Sequence, residues 1–497
     1  MTLLKCLLIP IIILFGCKQS PLSGTNEDKS NGSDNGIKNR SNKFRVAVID
    51  DGFDETLDVF KGKLIASYTL RCTEDKEEGI ERRNLPYEEL KRKVLEGMGS
   101  GESECNLEKN IDFKKSSRFS EIRRYREPWN RFYLEKQHIG DSVPKLPDST
   151  KLPSNSGYFE DNYPATGDTS STTSENPNFK LIQEVNISEE KVKHIYNILD
   201  GEGIYNYHGT NVASLIAYNN PNVELVFIQK ELAKNEEDSL NKLDCFTPEQ
   251  LSKLTRLFRD PDIVRAYVNA PLDPGLSKMD RVLSDLNIDF INTSFGTPPT
   301  KVLERLFEKK GCGKTSFSEF NRAMNDLEQV RETTIRKKGL LKSKALTISA
   351  FGNDSLGLNS NADGEECAKV FTINVASTDS SGKVAGFSNH GKCADVFLPG
   401  VGLIVAAPEN FLKDTSGTSF SSPLFVRFLT QSGKSSTDYS DIYKRYKGSQ
   451  YSISSNQIPN ELLLGSQQRI GAFSLIGEVI QLPRKKFDKI RLPFGLR

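Results

Sequence analysis

The sequence predicts an α/β fold, with three layers, a mainly parallel sheet covered by helices on both faces, and long inserts. Three observations carry that expectation. Short apolar, β-branched runs recur at Arg45–Ile49, Val223–Ile228 and Ala345–Ala350, and they read as buried strands. Helical stretches separate them, as the crossovers of a parallel sheet require. Asp50, Ser294 and Asn353 stand at or just beyond strand ends, where such sheets present functional groups.

Taken in order, the chain opens with Lys5, the apolar run Leu7–Phe15, and then Gly16-Cys17. That run is too short for a spanning helix, and the small residue at its end fits signal-peptide cleavage. Leu14-Phe15-Gly16-Cys17 resembles the lipobox of bacterial lipoproteins, with bulky Phe15 in place of the usual small residue. The resemblance implies a signal over 1–17, lipidation of Cys17, and anchoring of the protein outside the cytoplasm, at the cell surface or in the periplasm. An ordinary cleaved signal and an uncleaved anchor are the other readings. Residues 18–43 are Ser, Asn, Gly and Lys with almost nothing to bury, a flexible tether.

Arg45–Ile49 ends in Asp-Asp-Gly, a strand followed by a turn. A polar insert covers about 74–197, with helical pieces expected around Tyr87–Glu96 and Ser188–Ile198. Its Pro/Ser/Thr-rich span Val143–Pro177 lacks either periodicity and reads as a disordered loop. Thr210–Tyr218 reads as a helix with small residues on one face. A polar helical insert follows the next strand, over about 236–285, and a further strand ends in Ile291-Asn292-Thr293-Ser294-Phe295-Gly296. Phe317–Lys337 is helical. Val370–Val375, Val384–Ser388 and Leu403–Ala407 are strand candidates before a helix beginning at Ser419.

Basic and acidic residues nearly cancel, 67 against 66, which argues against nucleic acid as the main partner. Beyond Cys6 and Cys17, Cys72, Cys105, Cys245, Cys312, Cys367 and Cys393 form an even set, and in an exported chain that points to disulfides. Cys367 and Cys393 flank a strand pair and are paired first. Proximity couples Cys72 with Cys105 and Cys245 with Cys312. Metal-type Cys-x-x-Cys spacing is absent, so no metal ligand is assigned.

The chemistry lies in four segments: Val48-Ile49-Asp50-Asp51-Gly52, Tyr207-His208-Gly209-Thr210-Asn211, Ser349-Ala350-Phe351-Gly352-Asn353, and Gly417-Thr418-Ser419-Phe420-Ser421-Ser422-Pro423. A nucleophilic serine needs a base, a carboxylate to orient that base, and donors for the oxyanion. In this order and with these flanks, the chain resembles the subtilisin-like serine proteases, the subtilases. The resemblance makes Asp50, His208 and Ser419 the catalytic triad and Asn353 the oxyanion donor. It makes Ser294, Phe295 and Gly296 the lining of the substrate pocket. It implies a catalytic domain over 44–481, a basic tail over 482–497, protein or peptide substrates and no required cofactor. Many relatives bind calcium, but no compact acidic loop here compels a site.

Several residues depart from the family pattern. Asp51 replaces the usual Thr or Ser beside the catalytic carboxylate, and Asn211 stands where a second histidine often follows. Leu424-Phe425-Val426-Arg427-Phe428 replaces small residues, so this helix must sit differently or in a wider groove. The expected activity is that of a serine endopeptidase working through an acyl-enzyme. A catalytically weak or inactive surface-binding lipoprotein of the same fold is the alternative, and an esterase with the same triad is a third.

Overall fold

The computed structural model describes residues 43–72, 84–98, 105–110, 118–138, 186–200, 207–231, 245–270, 272, 274–294, 299–313, 316–431, 439–454, 457–459 and 462. The signal segment, almost all of the tether, the span 143–177 and the basic tail lie outside them. The strands are β1 (Phe44–Asp50), β2 (Leu64–Cys72), β3 (Cys105–Lys109), β4 (Val223–Glu231), β5 (Phe290–Thr293), β6 (Leu346–Ala350), β7 (Thr372–Thr378), β8 (Val396–Pro399), β9 (Leu403–Ala407), β10 (Phe411–Thr415) and β11 (Tyr451–Ser452). The helices are α1 (Tyr87–Met98), α2 (Arg118–Ile122), α3 (Arg126–His138), α4 (Glu189–Asp200), α5 (His208–Ala217), α6 (Pro248–Arg259), α7 (Pro261–Asn269), α8 (Pro274–Asp285), α9 (Thr300–Lys309), α10 (Ser318–Lys337), α11 (Thr418–Gln431) and α12 (Tyr439–Tyr446).

Among the described residues one nine-stranded sheet runs β11-β8-β7-β6-β5-β1-β4-β2-β3. Its ladders are parallel except that β3 pairs antiparallel with β2. β1 lies between β4 and β5, and all seven of its residues are buried. The strand period of two divides them. Val46 and Val48 face the main core with residues of α5 and α11, whereas Ala47 and Ile49 face Leu283 of α8, Leu286 and Ile288. The sheet is therefore covered on both sides.

The expected strands at 45–49, 223–228, 345–350 and 370–375 appear within a few residues of their predicted bounds. Val384–Ser388 does not form a strand. Only Val384 makes an isolated bridge to Thr378, because Asp379–Lys383 folds as a tight turn around the Asp379 side chain. Leu403–Ala407 is a strand, but it pairs with β10 in a separate hairpin.

The 236–285 stretch holds α6, α7 and α8, and Thr247 caps α6 with a reciprocal Gln250 capping box. α6 and α7 join α1, α9 and α10 around a second core that includes Leu90, Val94, Leu254, Leu257, Phe307, Phe317 and Phe320. Disulfide Cys245–Cys312 staples this unit, and Cys367–Cys393 forms as expected. Cys72 and Cys105 are register partners across β2 and β3.

The polar insert contributes folded elements as well. Trp129 of α3 is fully buried and donates its indole N–H to the Leu412 carbonyl at 2.7 Å. Asn130 accepts from Leu412 N–H at 2.7 Å and donates to the Asn410 carbonyl at 2.8 Å. Tyr133 and Tyr196 both donate to Asp414, at 2.8 and 3.1 Å. The open edge of β10, which a sheet must protect, is thus held by side chains of the insert.

Candidate active site

Asp50 is the last residue of β1 and His208 the first of α5, and backbone contacts bring them together. Gly209 N–H donates to the Asp51 carbonyl at 2.7 Å and Thr210 N–H to the Gly52 carbonyl at 3.1 Å. These bonds satisfy donors that a helix N-terminus leaves open. Glycine is required at 209, since a Cβ there would lie 2.7 Å from the Phe53 ring. Under this constraint His208 Nδ1 sits 2.7 Å from Asp50 Oδ1. The same oxygen accepts from Asp51 N–H at 2.8 Å, while Oδ2 is buried without a hydrogen-bond partner.

The His208 side chain keeps 27% of its surface exposed, so a reactant can reach it. Burial pulls its pKa down. The Asp50 charge and hydrogen bond, helped by the Asp51 charge, outweigh that and hold it above the ordinary histidine value. Asp51 therefore acts on the imidazole, not only on solvent.

Ser419 lies in the first turn of α11. Two contacts lock the preceding residue, Thr418, to the oxyanion candidate. Asn353 Oδ1 accepts from Thr418 N–H at 2.9 Å and from Thr418 Oγ1 at 3.0 Å, and Gly352 N–H donates to Thr418 Oγ1 at 3.0 Å. This orientation leaves the Asn353 Nδ2 group for an oxyanion. Asn389 shapes the same loop. It donates to the Phe351 carbonyl and to Asp354 Oδ2, both at 3.0 Å, and accepts from Asp354 N–H at 3.1 Å and Leu356 N–H at 3.0 Å. Gly352 makes this approach possible, with φ of +94° and only 2.5 Å between its would-be Cβ and Asn389 Nδ2.

The Ser419 hydroxyl donates to the Ser294 carbonyl at 3.1 Å, and Ser294 Oγ returns a bond to the Ser419 carbonyl at 2.9 Å. Asn292 and Ser422 complete the network behind them. The Phe420 ring lies 5.3 Å from the His208 ring, so the residue after the serine rests against the imidazole. Asp50, His208, Asn353, Ser419 and Ser294 thus form one constellation at the carboxyl ends of β1, β5 and β6. Phe295 and Gly296 lie outside the described residues, as does Cys17.

The family described as the Subtilase family matches residues 41–432. The chain belongs to the subtilase family. Among curated relatives it is 32% identical over 111 residues to Subtilisin-like protease 5 of Arthroderma gypseum, covering 22% of this chain and 27% of that protein. It is 33% identical over 136 residues to Subtilisin-like protease 7 of the same organism, covering 26% of this chain and 31% of the relative. The aligned region is therefore under a third of the length of these relatives. A solved structure of the Patellamide maturation protease PatG covers 81% of this chain and 80% of its own at 12% identity, with a TM-score of 0.34, too low to add to the family match.

Sequence reasoning missed the second tier of the site. Asn389 opens the segment Asn389-His390-Gly391, but nothing local reveals a bond to residues 35 and 38 positions upstream. Asn292 sits inside an apolar strand end, and a buried polar residue there was the available signal. Asn211 holds β9 by donating to the Ala406 carbonyl at 2.8 Å. The bulk of Leu424–Phe428 is taken up by neighbours: Phe425 packs edge-on against Tyr446 of α12 at 5.1 Å, and Arg427 donates to the Leu215 carbonyl of α5 at 3.3 Å.

Proposed function

We propose that this subtilase is a serine endopeptidase that cuts protein or peptide substrates through Asp50, His208 and Ser419. The observation that carries the reading is the 2.7 Å bond between Asp50 and His208, with the Ser419 turn packed against the same imidazole. On substrate entry the Ser419 hydroxyl exchanges its Ser294 acceptor for Nε2 of His208, the ring nitrogen that does not face Asp50. His208 takes the proton as Oγ adds to the carbonyl carbon, and Asp50 stabilises the imidazolium. The Ser419 N–H, at a helix N-terminus, and the Asn353 amide receive the oxyanion. The C–N bond then breaks, His208 protonates the amine, and water releases the acid from the acyl-enzyme by the same steps.

A fluorophosphonate probe tests this directly. The expected result is labelling of the full chain, lost in Ser419→Ala and in His208→Ala. An unreactive native protein overturns the reading in favour of the non-catalytic surface-binding alternative.

The Leu14–Cys17 segment supports a location outside the cytoplasm, held to a membrane by a lipid on Cys17. Incorporation of labelled fatty acid into the native chain and not into Cys17→Ala is the expected outcome. Equal labelling of both removes the anchor from that residue.

A further inference from the structure

Helices α2, α3 and α4 come from the insert between Asp50 and His208, and their side chains converge on the two segments that carry the reacting groups. The proposed mechanism uses none of these side chains. Phe119 of α2 is buried and meets the Tyr207 ring edge-on at 5.5 Å, immediately before His208. Helices α3 and α4 hold β10, which ends at Thr415 and runs through Gly417 into the Ser419 turn.

The tip of the β9–β10 hairpin needs such support. Glu409 and Asn410 have φ of +58° and +62°, left-handed values that residues with side chains rarely adopt. The insert grips them: Arg126 donates to the Glu409 carbonyl at 3.4 Å, Asn130 to the Asn410 carbonyl at 2.8 Å, and Arg123 pairs with the Glu409 carboxylate at 3.2 Å. The loop after β1 adds two bonds, from Glu409 N–H to Asp54 Oδ2 at 3.1 Å and from Asp58 N–H to Asn410 Oδ1 at 3.0 Å. Farther along β10, Tyr133 and Tyr196 share the Asp414 Oδ1 acceptor. Burial, then the Asp414 charge, push the Tyr133 pKa well above its ordinary value, so this phenol stays a donor at neutral pH.

The other strand of the hairpin is tied to the helix of the base. Asn211 of α5 donates to the Ala406 carbonyl at 2.8 Å, and Ala406 N–H donates to Ser214 Oγ at 3.1 Å. The hairpin therefore connects α5, which begins with His208, to the turn that presents Ser419. Two further bonds carry its position into that turn, from Gly402 N–H to Ser416 Oγ at 3.0 Å and from Gly417 N–H to the Gly400 carbonyl at 2.8 Å.

Resting on the endopeptidase reading, we propose that the insert is a positioning clamp for the catalytic pair: Phe119 sets His208 through Tyr207, and Tyr133 and Tyr196 set Ser419 through Asp414. The Ser419 hydroxyl rests on the Ser294 carbonyl and must turn to reach Nε2 of His208. Displacing either segment lengthens that reach, and a misplacement of about 1 Å costs up to about 10² in rate.

The test uses full-chain Tyr133→Phe/Tyr196→Phe and Phe119→Leu, with kcat and KM read on a fluorogenic peptide that the native chain cuts. The rate of fluorophosphonate labelling is followed in parallel. Each variant is expected to lose about 10–100-fold in kcat and in labelling rate, with KM little changed and cooperative unfolding retained. The control is Cys245→Ser/Cys312→Ser, which destabilises the helical unit and is expected to keep the native kcat at the same temperature. Native kcat in both insert variants overturns the clamp, as does a loss confined to KM or an equal loss of kcat in the control. Should the tyrosine variant fail to fold, Phe119→Leu decides alone. If the native protein neither labels nor cuts, the endopeptidase reading fails and the clamp with it; if it labels and cuts and the insert variants match it, only the clamp fails.

Discussion

Asp51 shows how a single side chain next to a catalytic group tunes it. Its charge adds to that of Asp50 in holding the His208 pKa above the ordinary 6.5. A base must be neutral, so the acid limb of kcat/KM is expected above pH 6.5, with the rate lost as pH falls through it. Asp51→Asn removes one contribution that raises the pKa, and the limb should move to lower pH. A limb that stays in place or moves upward contradicts this account. Asn389 acts by position, since it braces the loop carrying Asn353 through four hydrogen bonds. Asn389→Ala is expected to cost about 1–3 kcal/mol in chemical denaturation and about 10–100-fold in kcat with KM little changed. A KM-dominated loss would place Asn389 in substrate binding instead. At this scale the site was largely legible, because chemistry demands particular residue types beside glycines that permit close approach. Asn389 was not, because its partners lie 33 to 38 positions away in the chain.

Helices α1, α6, α7, α9 and α10 owe their stability to a core of their own and to one covalent link. Cys245–Cys312 closes a span of 67 positions, and constraining a loop of that length in the unfolded chain is worth about 2–4 kcal/mol. The double variant Cys245→Ser/Cys312→Ser should lower the unfolding free energy by that amount while fluorophosphonate labelling persists at moderate temperature. Loss of labelling in the cold would mean that the staple also supports the site. Helix α3 plays the opposite part, since it touches the hairpin that leads directly into the Ser419 turn. Trp129→Ala removes a fully buried ring and an indole hydrogen bond, for an expected loss of about 3–5 kcal/mol. Element prediction worked where periodicity was uniform, as in β1 and α10. It failed at β2, where Ile65 is exposed while Ser67 and Thr69 are buried, so polarity does not track burial. It failed at α3 because Arg126–His138 buries Trp129, Asn130, Phe132 and Tyr133 in a sequence where charged residues break up the apolar pattern.

For the whole molecule, the polar insert between Asp50 and His208 reads in the sequence as helical pieces around a disordered span, and its described parts are built into both cores. α1 packs into the helical unit, α3 and α4 reach β10 of the hairpin, and Phe119 of α2 rests against Tyr207 beside His208. Deleting 74–197 is therefore expected to abolish cooperative unfolding and probe labelling together, rather than to widen the cleft for larger substrates. Faster hydrolysis of a folded protein by the truncated chain would show that the insert restricts the cleft. No sequence periodicity reveals such packing, since it depends on contacts spanning more than 280 positions. The placement of β1 has a further consequence for biogenesis. Among the described residues it is the first strand in chain order, yet the register partners that flank it begin with Val223 and Phe290, the former 179 positions later. At ordinary ribosomal speed of about 5–20 residues per second, its hydrophobic backbone waits roughly 10–35 s without a neighbour. A nascent chain of this design calls for a holdase during that interval, or it must stay unfolded until its second half has been delivered.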